Sequence, residues 1–194
     1  MVSLTIRKTI LLSVVTVLFF GLIFLHQRNR IAEMFIPFKN KTTYADRALQ
    51  PLRLKIERIH LDTKIESVGL TSTGAMDVPS LPENVAWFNL GPIPGMTGSA
   101  VIVGHSGWKG GKIVAFDNLH ILRKGDVIYV ENATGSSTMF VVQESRIYKA
   151  DAIVPEVFTS TSGKHLNLIS CIGIWDPISK NYSERLVVFS KAKP

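Results

Sequence analysis

The sequence contains very little cysteine. Among its 194 residues there is one, Cys171. A single thiol cannot form an internal disulfide, and four-ligand zinc sites with two or more thiolates are excluded for the same reason. Any chemistry at this position must therefore be that of a lone thiol.

Charged residues are also few, at 19% against 46% hydrophobic residues. Disordered chains combine low hydrophobicity with high charge, so this composition excludes a mainly disordered protein. The length suits one domain with an appendage and supplies enough apolar material for a core. We expect one packed domain.

The net charge of +7 is concentrated near the N-terminus. Residues 1–50 carry seven Lys and Arg against two acidic residues, whereas residues 51–194 carry fifteen against thirteen. A basic face for phosphate contacts is therefore not expected on the main body of the protein. The charge distribution argues against a nucleic-acid partner.

A run of 17 uncharged residues, 9–25, lies close to the start of the chain between basic flanks. A helix of this length spans roughly 25 Å, near the short limit for crossing a bilayer. A core helix is disfavoured because the run is apolar on every face, and a cleavable signal peptide because no small-x-small site follows. We predict an uncleaved signal anchor over residues 1–27, transmembrane at about 9–25. More Lys and Arg follow the run than precede it, so charge alone leaves its orientation open.

Polar and basic residues follow over residues 28–50, with only weak helical periodicity. Pro51 closes this segment. We predict a juxtamembrane stalk over residues 28–50, outside the core, and a separate domain over residues 51–194.

From Leu52 onward the pattern is typical of strands. Short alternating or β-branched apolar runs are separated by turns rich in Gly, Pro and Asn. The runs lie at residues 52–59, where Ile59 falls out of phase, and at 65–68, 85–88, 100–103, 127–130, 139–142, 166–169 and 186–189. About eight short strands with turn-rich connections predict an all-β barrel or sandwich. Only short helices are expected, near residues 113–122 and 152–159.

Three residues with useful chemistry each lie at the end of a strand-like run: His105, Cys171 and Arg185. Taken singly they have ordinary interpretations, as a surface histidine, a small core thiol and a solvated arginine. If the strands that carry Cys171 and Arg185 are antiparallel neighbours, a loop over residues 172–184 connects them and both side chains reach one rim. Together the three groups suit acyl transfer, as nucleophile, proton donor to a leaving amine and oxyanion stabiliser.

The sequence resembles the sortases, membrane-anchored cysteine transpeptidases of the Gram-positive-type cell surface. The matching blocks are IPGMTGSAVIVGH at 93–105, FDNL at 116–119 with GD at 125–126, and NLISC at 167–171 with RLVV at 185–188. They follow the family's order between about residues 52 and 191. The resemblance implies an eight-stranded sortase-type β-barrel with catalytic His105, Cys171 and Arg185. It also implies a single-pass protein of the cell membrane, with a cytoplasmic N-terminus and an extracellular catalytic domain.

The chain departs from the family pattern at several positions. The family commonly has Thr-Leu-x-Thr-Cys, where this chain has Asn167 and Ser170. Ser170 keeps a hydroxyl for a supporting hydrogen bond and is a candidate substrate-binding residue, while the role of position 167 stays open. An Asp-Pro-aromatic lid is not found in residues 28–60, and Trp175-Asp176-Pro177 lies after the cysteine. A lidless, housekeeping-like or related class is favoured over a pilin polymerase.

By this resemblance the protein cleaves within the C-terminal sorting signal, of the Leu-Pro-x-Thr-Gly type, of secreted proteins. It would join them, through a thioacyl intermediate on Cys171, to an amine of a peptidoglycan precursor or another acceptor. No cofactor and no metal site are expected, although calcium activation stays open. Two alternatives remain: a membrane-anchored cysteine hydrolase, and a non-catalytic membrane-tethered β-barrel binding module in which Cys171 is structural.

Overall fold

Eight strands form a closed β-barrel in the computed structural model, which describes residues 48–107 and 114–193. The strands are β1 Pro51–Ile56, β2 Leu61–Val68, β3 Val85–Phe88, β4 Gly98–Gly104, β5 Val127–Asn132, β6 Ser137–Lys149, β7 Lys164–Asp176 and β8 Asn181–Ala192. The predicted all-β barrel is confirmed. The predicted anchor, and the stalk up to residue 47, lie outside the described residues. Within the described ranges, no helix is long and apolar enough to cross a membrane.

The order of strands around the barrel is β1-β2-β3-β4-β7-β8-β6-β5. Neighbours are antiparallel except for β2 with β3 and β4 with β7, which are parallel. The β4–β7 register pairs Val103 with Ile169 and Gly104 with Ser170. β7 then pairs with β8 so that Cys171 lies opposite Arg185. Three distant parts of the sequence thus come together where β4 ends.

The inward-facing side chains of every strand fill the barrel. Its fully buried residues include Leu54, Ile56, Ile102, Phe116, Ile128, Phe140, Leu166 and Leu168. Gly104 faces this core, and a Cβ atom there would lie 2.5 Å from the Phe116 ring. Only glycine fits at that point, so β4 can pass the Phe116 ring and present the following residue at the rim.

A second apolar cluster covers the outer face of β4, β7 and β8. It contains Val101, Val187 and Val157, the last of which comes from the β6–β7 connection. This connection, residues 150–163, therefore packs against the outside of the barrel wall. A cleft lies between the connection and the wall.

Three short 3₁₀ turns, Glu57–Ile59, Leu119–Ile121 and Pro155–Val157, are the helical elements between the strands. The last two fall within the predicted helical stretches. The first was not predicted, and it explains why Ile59 is out of phase with the alternation of β1. The turn buries Ile59 and ends at His60, whose φ of 53° reverses the chain into β2.

The predicted loop over residues 172–184 is wrong. β7 continues to Asp176 and β8 begins at Asn181, so the two strands form one long hairpin. The ladder shifts register after Ile172 and resumes with Trp175 opposite Tyr182, whose rings meet edge to face at 5.1 Å. Cross-strand aromatic packing of this kind stabilises a hairpin even where its side chains are exposed.

Candidate active site

The three residues predicted to act together lie side by side at one rim of the barrel. His105 directly follows Gly104, the partner of Ser170, and is therefore level with Cys171, while Cys171 is paired with Arg185. Alternation directs all three side chains outward, because Gly104, Ser170 and Leu186 face the core. Neighbouring strands lie about 4.8 Å apart, so the thiol has an imidazole on one side and a guanidinium on the other.

A cleft of about 900 Å³ opens beside these rim residues. Val103, Ile169 and Val187 belong to its floor, and Val154, Val157 and Phe158 of the β6–β7 connection to its wall. Among the described residues that line it, the ionisable basic side chains are His105, Lys149, Lys180 and Arg185, and none of these described lining residues is a carboxylate. The cleft is thus an apolar groove that ends at a thiol and basic side chains.

Burial in the cleft raises the pKa of the Cys171 thiol above its ordinary value. The positive charge of Arg185 acts in the opposite direction and offsets part of this effect. A low-dielectric environment disfavours the thiolate, whereas a nearby cation favours it. The thiol is therefore mainly protonated at neutral pH.

Neutral oxygen atoms hold the Arg185 guanidinium. Its Nη1 donates to the carbonyls of Tyr182 and Glu184, at 3.0 and 2.9 Å, and its Nη2 donates to the side-chain oxygen of Asn181 at 2.6 Å. No described carboxylate forms an ion pair with it. The guanidinium is fixed without being neutralised, so its charge can act on the thiolate or on an oxyanion.

The ring of His105 is half-buried and reaches the connection between β2 and β3. Its Nε2 lies 3.0 Å from the carbonyl oxygen of Pro79. A carbonyl can only accept, so Nε2 is the donor in this hydrogen bond and carries a proton. When the imidazole is neutral, this contact therefore allows only the tautomer that carries its proton on Nε2.

Residues after His105 are tied to the β7–β8 hairpin. The Ser106 hydroxyl donates to the backbone carbonyl of Cys171, and the Tyr182 hydroxyl donates to the carbonyl of Gly107 at 3.0 Å. The Gly107 amide donates to Asp117 at 2.7 Å. The Ser106 bond continues the β4–β7 contact beyond the last ladder pair, and the two Gly107 bonds hold the next residues to β8 and to the β4–β5 connection, so that His105 stays beside the thiol.

Ser170 is 1% exposed, and its hydroxyl donates to the carbonyl of Gly104 at 3.2 Å. The supporting hydrogen bond that its hydroxyl suggested is therefore present, between β7 and β4. Its role in substrate binding stays a prediction. Metal binding has no evident centre: among the described residues, no group of three or more His, Cys, Asp and Glu could hold an ion.

Comparison with protein families decides the identity of this fold. The model of the Sortase domain matches residues 54–193, which cover nearly the whole barrel and all three rim residues. This chain belongs to the sortase family.

Solved sortase structures are similar to this one. Sortase C-1 from Actinomyces oris is 26% identical, with 75% of this chain and 76% of that chain covered at a TM-score of 0.60. Sortase C1 of Streptococcus agalactiae is 23% identical, over 74% and 67% of the two chains, at 0.58. The Sortase D5 transpeptidase of Clostridium perfringens is 20% identical, over 75% and 79%, at 0.56, and these last two show the fold alone. Among curated proteins, a search finds no match.

Asn167, the residue whose role the sequence left open, makes a buried hydrogen bond in this sortase. The side chain is 2% exposed, and its amide donates to the carbonyl of Val157 at 2.6 Å. It therefore holds the β6–β7 connection against β7, beneath the wall of the cleft. Sequence reasoning did not find this contact, because it joins a strand to a turn with no regular spacing between them.

Three other residues at the sortase cleft were not predicted. Tyr148 lies opposite Arg185 on β6 and lines the cleft, Asn181 holds the guanidinium, and Pro79 contacts His105. The alternation of β6 could have suggested Tyr148 only if β6 had been known to pair with β8. Asn181 acts from the first residue of β8 and Pro79 from an irregular connection, and neither contact has a periodic signal.

Proposed function

We propose that this sortase is a cysteine transpeptidase in which Cys171 is the nucleophile, His105 the proton donor and Arg185 the oxyanion stabiliser. The observation that supports it is the in-register arrangement of the three side chains at the end of one apolar cleft. Family membership supports the same reaction class. The three groups supply the nucleophilic, acid-base and electrostatic parts that acyl transfer needs.

In the first half-reaction the Cys171 thiolate attacks the threonine carbonyl of the sorting signal. A C–S bond forms, the carbonyl electron pair moves to oxygen, and Arg185 stabilises the resulting charge. When the carbonyl reforms, the C–N bond breaks, and the departing amine takes a proton from the His105 imidazolium. A thioester on Cys171 and a neutral imidazole remain.

The second half-reaction reverses these roles. An acceptor amine attacks the thioester and gives a proton to neutral His105. The C–S bond breaks and its electron pair returns to sulfur, so the thiolate and the imidazolium are restored. No net proton is consumed, and no cofactor enters either step.

Only a minority of the enzyme carries thiolate and imidazolium together at neutral pH, because burial raises the pKa of Cys171. The positive charge of the Arg185 side chain increases this fraction. Substrate binding also excludes water from the cleft. Modest turnover follows, since most free enzyme is not in the reactive protonation state.

The substrate is a Leu-Pro-x-Thr-Gly type signal at the C-terminus of a secreted protein, and the acceptor an amine of a peptidoglycan precursor. An apolar groove that ends at the thiol suits a short peptide with apolar residues before the scissile bond. The 17-residue uncharged run at 9–25 supports a membrane anchor with the domain outside the cell. The absence of an Asp-Pro-aromatic tripeptide in residues 28–60 supports a lidless class.

Mass spectrometry of the enzyme with a sorting-signal peptide tests this function. Wild type is expected to gain the mass of the acyl fragment, and Cys171→Ala to gain none. His105→Ala and Arg185→Ala should each lower transpeptidation by about two or more orders of magnitude while the fold is retained. His120→Ala and Arg123→Ala are matched controls, because these exposed residues lie away from the cleft lining.

Transpeptidation is separated from hydrolysis by adding an amine acceptor. An amide product that increases with amine concentration supports the proposal, whereas free acid at every amine concentration supports a hydrolase. Retained activity in Cys171→Ala would exclude the mechanism altogether.

A further inference from the structure

The segment that contacts His105 is part of the long connection between β2 and β3, residues 69–84. Pro79 is buried within it, and its carbonyl accepts the hydrogen bond from Nε2 of His105. Connections between strands are often mobile, but a carbonyl that orients a catalytic imidazole has to be held within about 0.5 Å. Other contacts must therefore hold Pro79 in place.

Glu66 on β2 fixes the residue that follows it. The backbone amide and the hydroxyl of Ser80 both donate to Oε2 of Glu66, at 2.8 Å each. The side-chain amide of Asn84 donates to Oε1 at 2.7 Å. One carboxylate thus accepts three donors from the segment directly after Pro79. Glu66 is itself held in the sheet, paired with Ala86 of β3.

The protonation state of Glu66 suits this contact. Partial burial raises the pKa of its carboxyl, but the donors from Ser80, Asn84 and Leu81 outweigh burial, and the net shift is downward. Glu66 is therefore ionised at neutral pH. Hydrogen bonds to an ionised acceptor are about twice as strong as neutral ones, which makes a carboxylate a rigid support.

We propose that Glu66 is a positioning residue for His105, acting through Ser80 and the Pro79 carbonyl to hold the proton on Nε2. This inference rests on the proposed function of His105. With Nε2–H retained by Pro79 throughout, Nδ1 is the nitrogen whose proton moves. It gives that proton to the departing amine and takes one from the acceptor amine, so each cycle returns the imidazolium.

Two variants and one control test the network. Glu66→Gln removes the charge and replaces one acceptor oxygen by an NH₂ group, so it cannot accept from all three donors. Ser80→Ala removes one donor and leaves the backbone bond, which gives a milder change if the first variant does not fold. Glu83→Gln is the matched control, because the exposed Glu83 carboxylate lies in the same connection and accepts no hydrogen bond from a described residue.

The direct measurement is long-range ¹⁵N–¹H NMR of the histidine rings, at a pH where the imidazole is neutral. It reports which ring nitrogen carries the proton and does not require catalysis. Wild type and Glu83→Gln are expected to show His105 protonated at Nε2. Glu66→Gln should shift His105 toward a mixture of tautomers, with a smaller shift in Ser80→Ala.

Steady-state kinetics with a sorting-signal peptide provide the second measurement. Since the network orients the proton donor and does not line the cleft, Glu66→Gln should lower kcat about tenfold and leave KM within about twofold. Ser80→Ala should lower kcat less. Rescue by Glu66→Asp is not expected, because the shorter side chain cannot reach all three donors.

Distinct results would overturn the inference. One is wild-type His105 protonated at Nδ1. The other is a folded Glu66→Gln, or a folded Ser80→Ala if the former does not fold, with an unchanged tautomer and unchanged kcat. Failure of the proposed function has a different signature, in which wild type makes no acyl-enzyme while the NMR comparison still reports on the network.

Discussion

The reactivity of Cys171 depends on two opposing effects on one thiol. Burial raises its pKa, and the positive charge of Arg185 lowers it, with burial the larger of the two. The thiolate fraction at a given pH is therefore smaller than that of an exposed cysteine, but larger than burial alone would allow. Arg185 thus affects the protonation of Cys171 in the free enzyme, in addition to the oxyanion stabilisation proposed for it.

This balance predicts the pH dependence of alkylation. Because the thiolate is the reactive form, the rate of iodoacetamide reaction at Cys171 should rise with pH, with a midpoint above that of free cysteine. Arg185→Ala removes the favourable charge and should move the midpoint further upward, whereas Arg185→Lys should keep it near the wild-type value. The measurement is the alkylation rate across a pH series, followed by mass spectrometry. A midpoint unaffected by Arg185→Ala would mean that its charge does not act on the thiol.

At the scale of elements, the cleft depends on how the β6–β7 connection is attached. Glu156 accepts hydrogen bonds from Arg146 at 3.1 Å and Tyr148 at 3.0 Å, both on β6, and Asn167 of β7 holds the carbonyl of Val157. The connection is therefore fixed from two strands, and the groove has its shape before a substrate arrives. Preformed sites lose less conformational entropy on binding.

Removal of the buried contact should affect binding more than chemistry. Asn167→Ala leaves the Val157 carbonyl without its donor and creates a small cavity, at a cost of about 1–3 kcal/mol in the free energy of unfolding. The looser wall should raise KM for the sorting-signal peptide several-fold with a smaller effect on kcat. Denaturant unfolding and steady-state kinetics measure the two effects.

The matched control for this variant is Thr159→Ala, which removes an exposed hydroxyl that donates to Pro155 in the same connection. Its stability and KM should stay close to wild type. If Asn167→Ala lowered kcat and left KM unchanged, the contact would serve the rim residues rather than the wall of the cleft.

The strand elements could be predicted from the sequence because burial imposes a period of two on each. The same alternation places His105, Cys171 and Arg185 on one face at strand ends. The β7–β8 hairpin could not be found this way, since Ile174 and Ile178 are exposed and the glycine at 173 interrupts the pattern. The contacts of Asn167 and Glu66 could not be found either, because each joins a strand to an irregular connection.

At the scale of the whole molecule, the directions of the strands place the start of β1 and the end of β8 at the end of the barrel opposite the candidate active site. β1 begins at Pro51, opposite Asn132 at the end of β5, and β8 ends at Ala192, opposite Phe140 of β6. Cys171 and Arg185 lie at the other end of these strands. The parallel β4–β7 pair creates this arrangement, because it brings the ends of both strands to the same rim.

The described chain enters the barrel at Pro51, at the end away from the cleft, and a chain that begins at residue 48 should keep its site. We expect it to fold and to process a free sorting-signal peptide with kcat/KM within about twofold of the full chain in detergent, because the described hydrogen bonds of the rim residues and the described lining of the cleft lie within residues 48–107 and 114–193. The full chain should stay with membranes after an alkaline wash and be released by detergent, whereas the shortened chain should remain in the aqueous fraction.

Cys171→Ala in both chains gives the background rate. A shortened chain that folds but has a much higher KM would show that residues before 48 contribute to the substrate cleft, and a full chain released by alkali would exclude the anchor at 9–25.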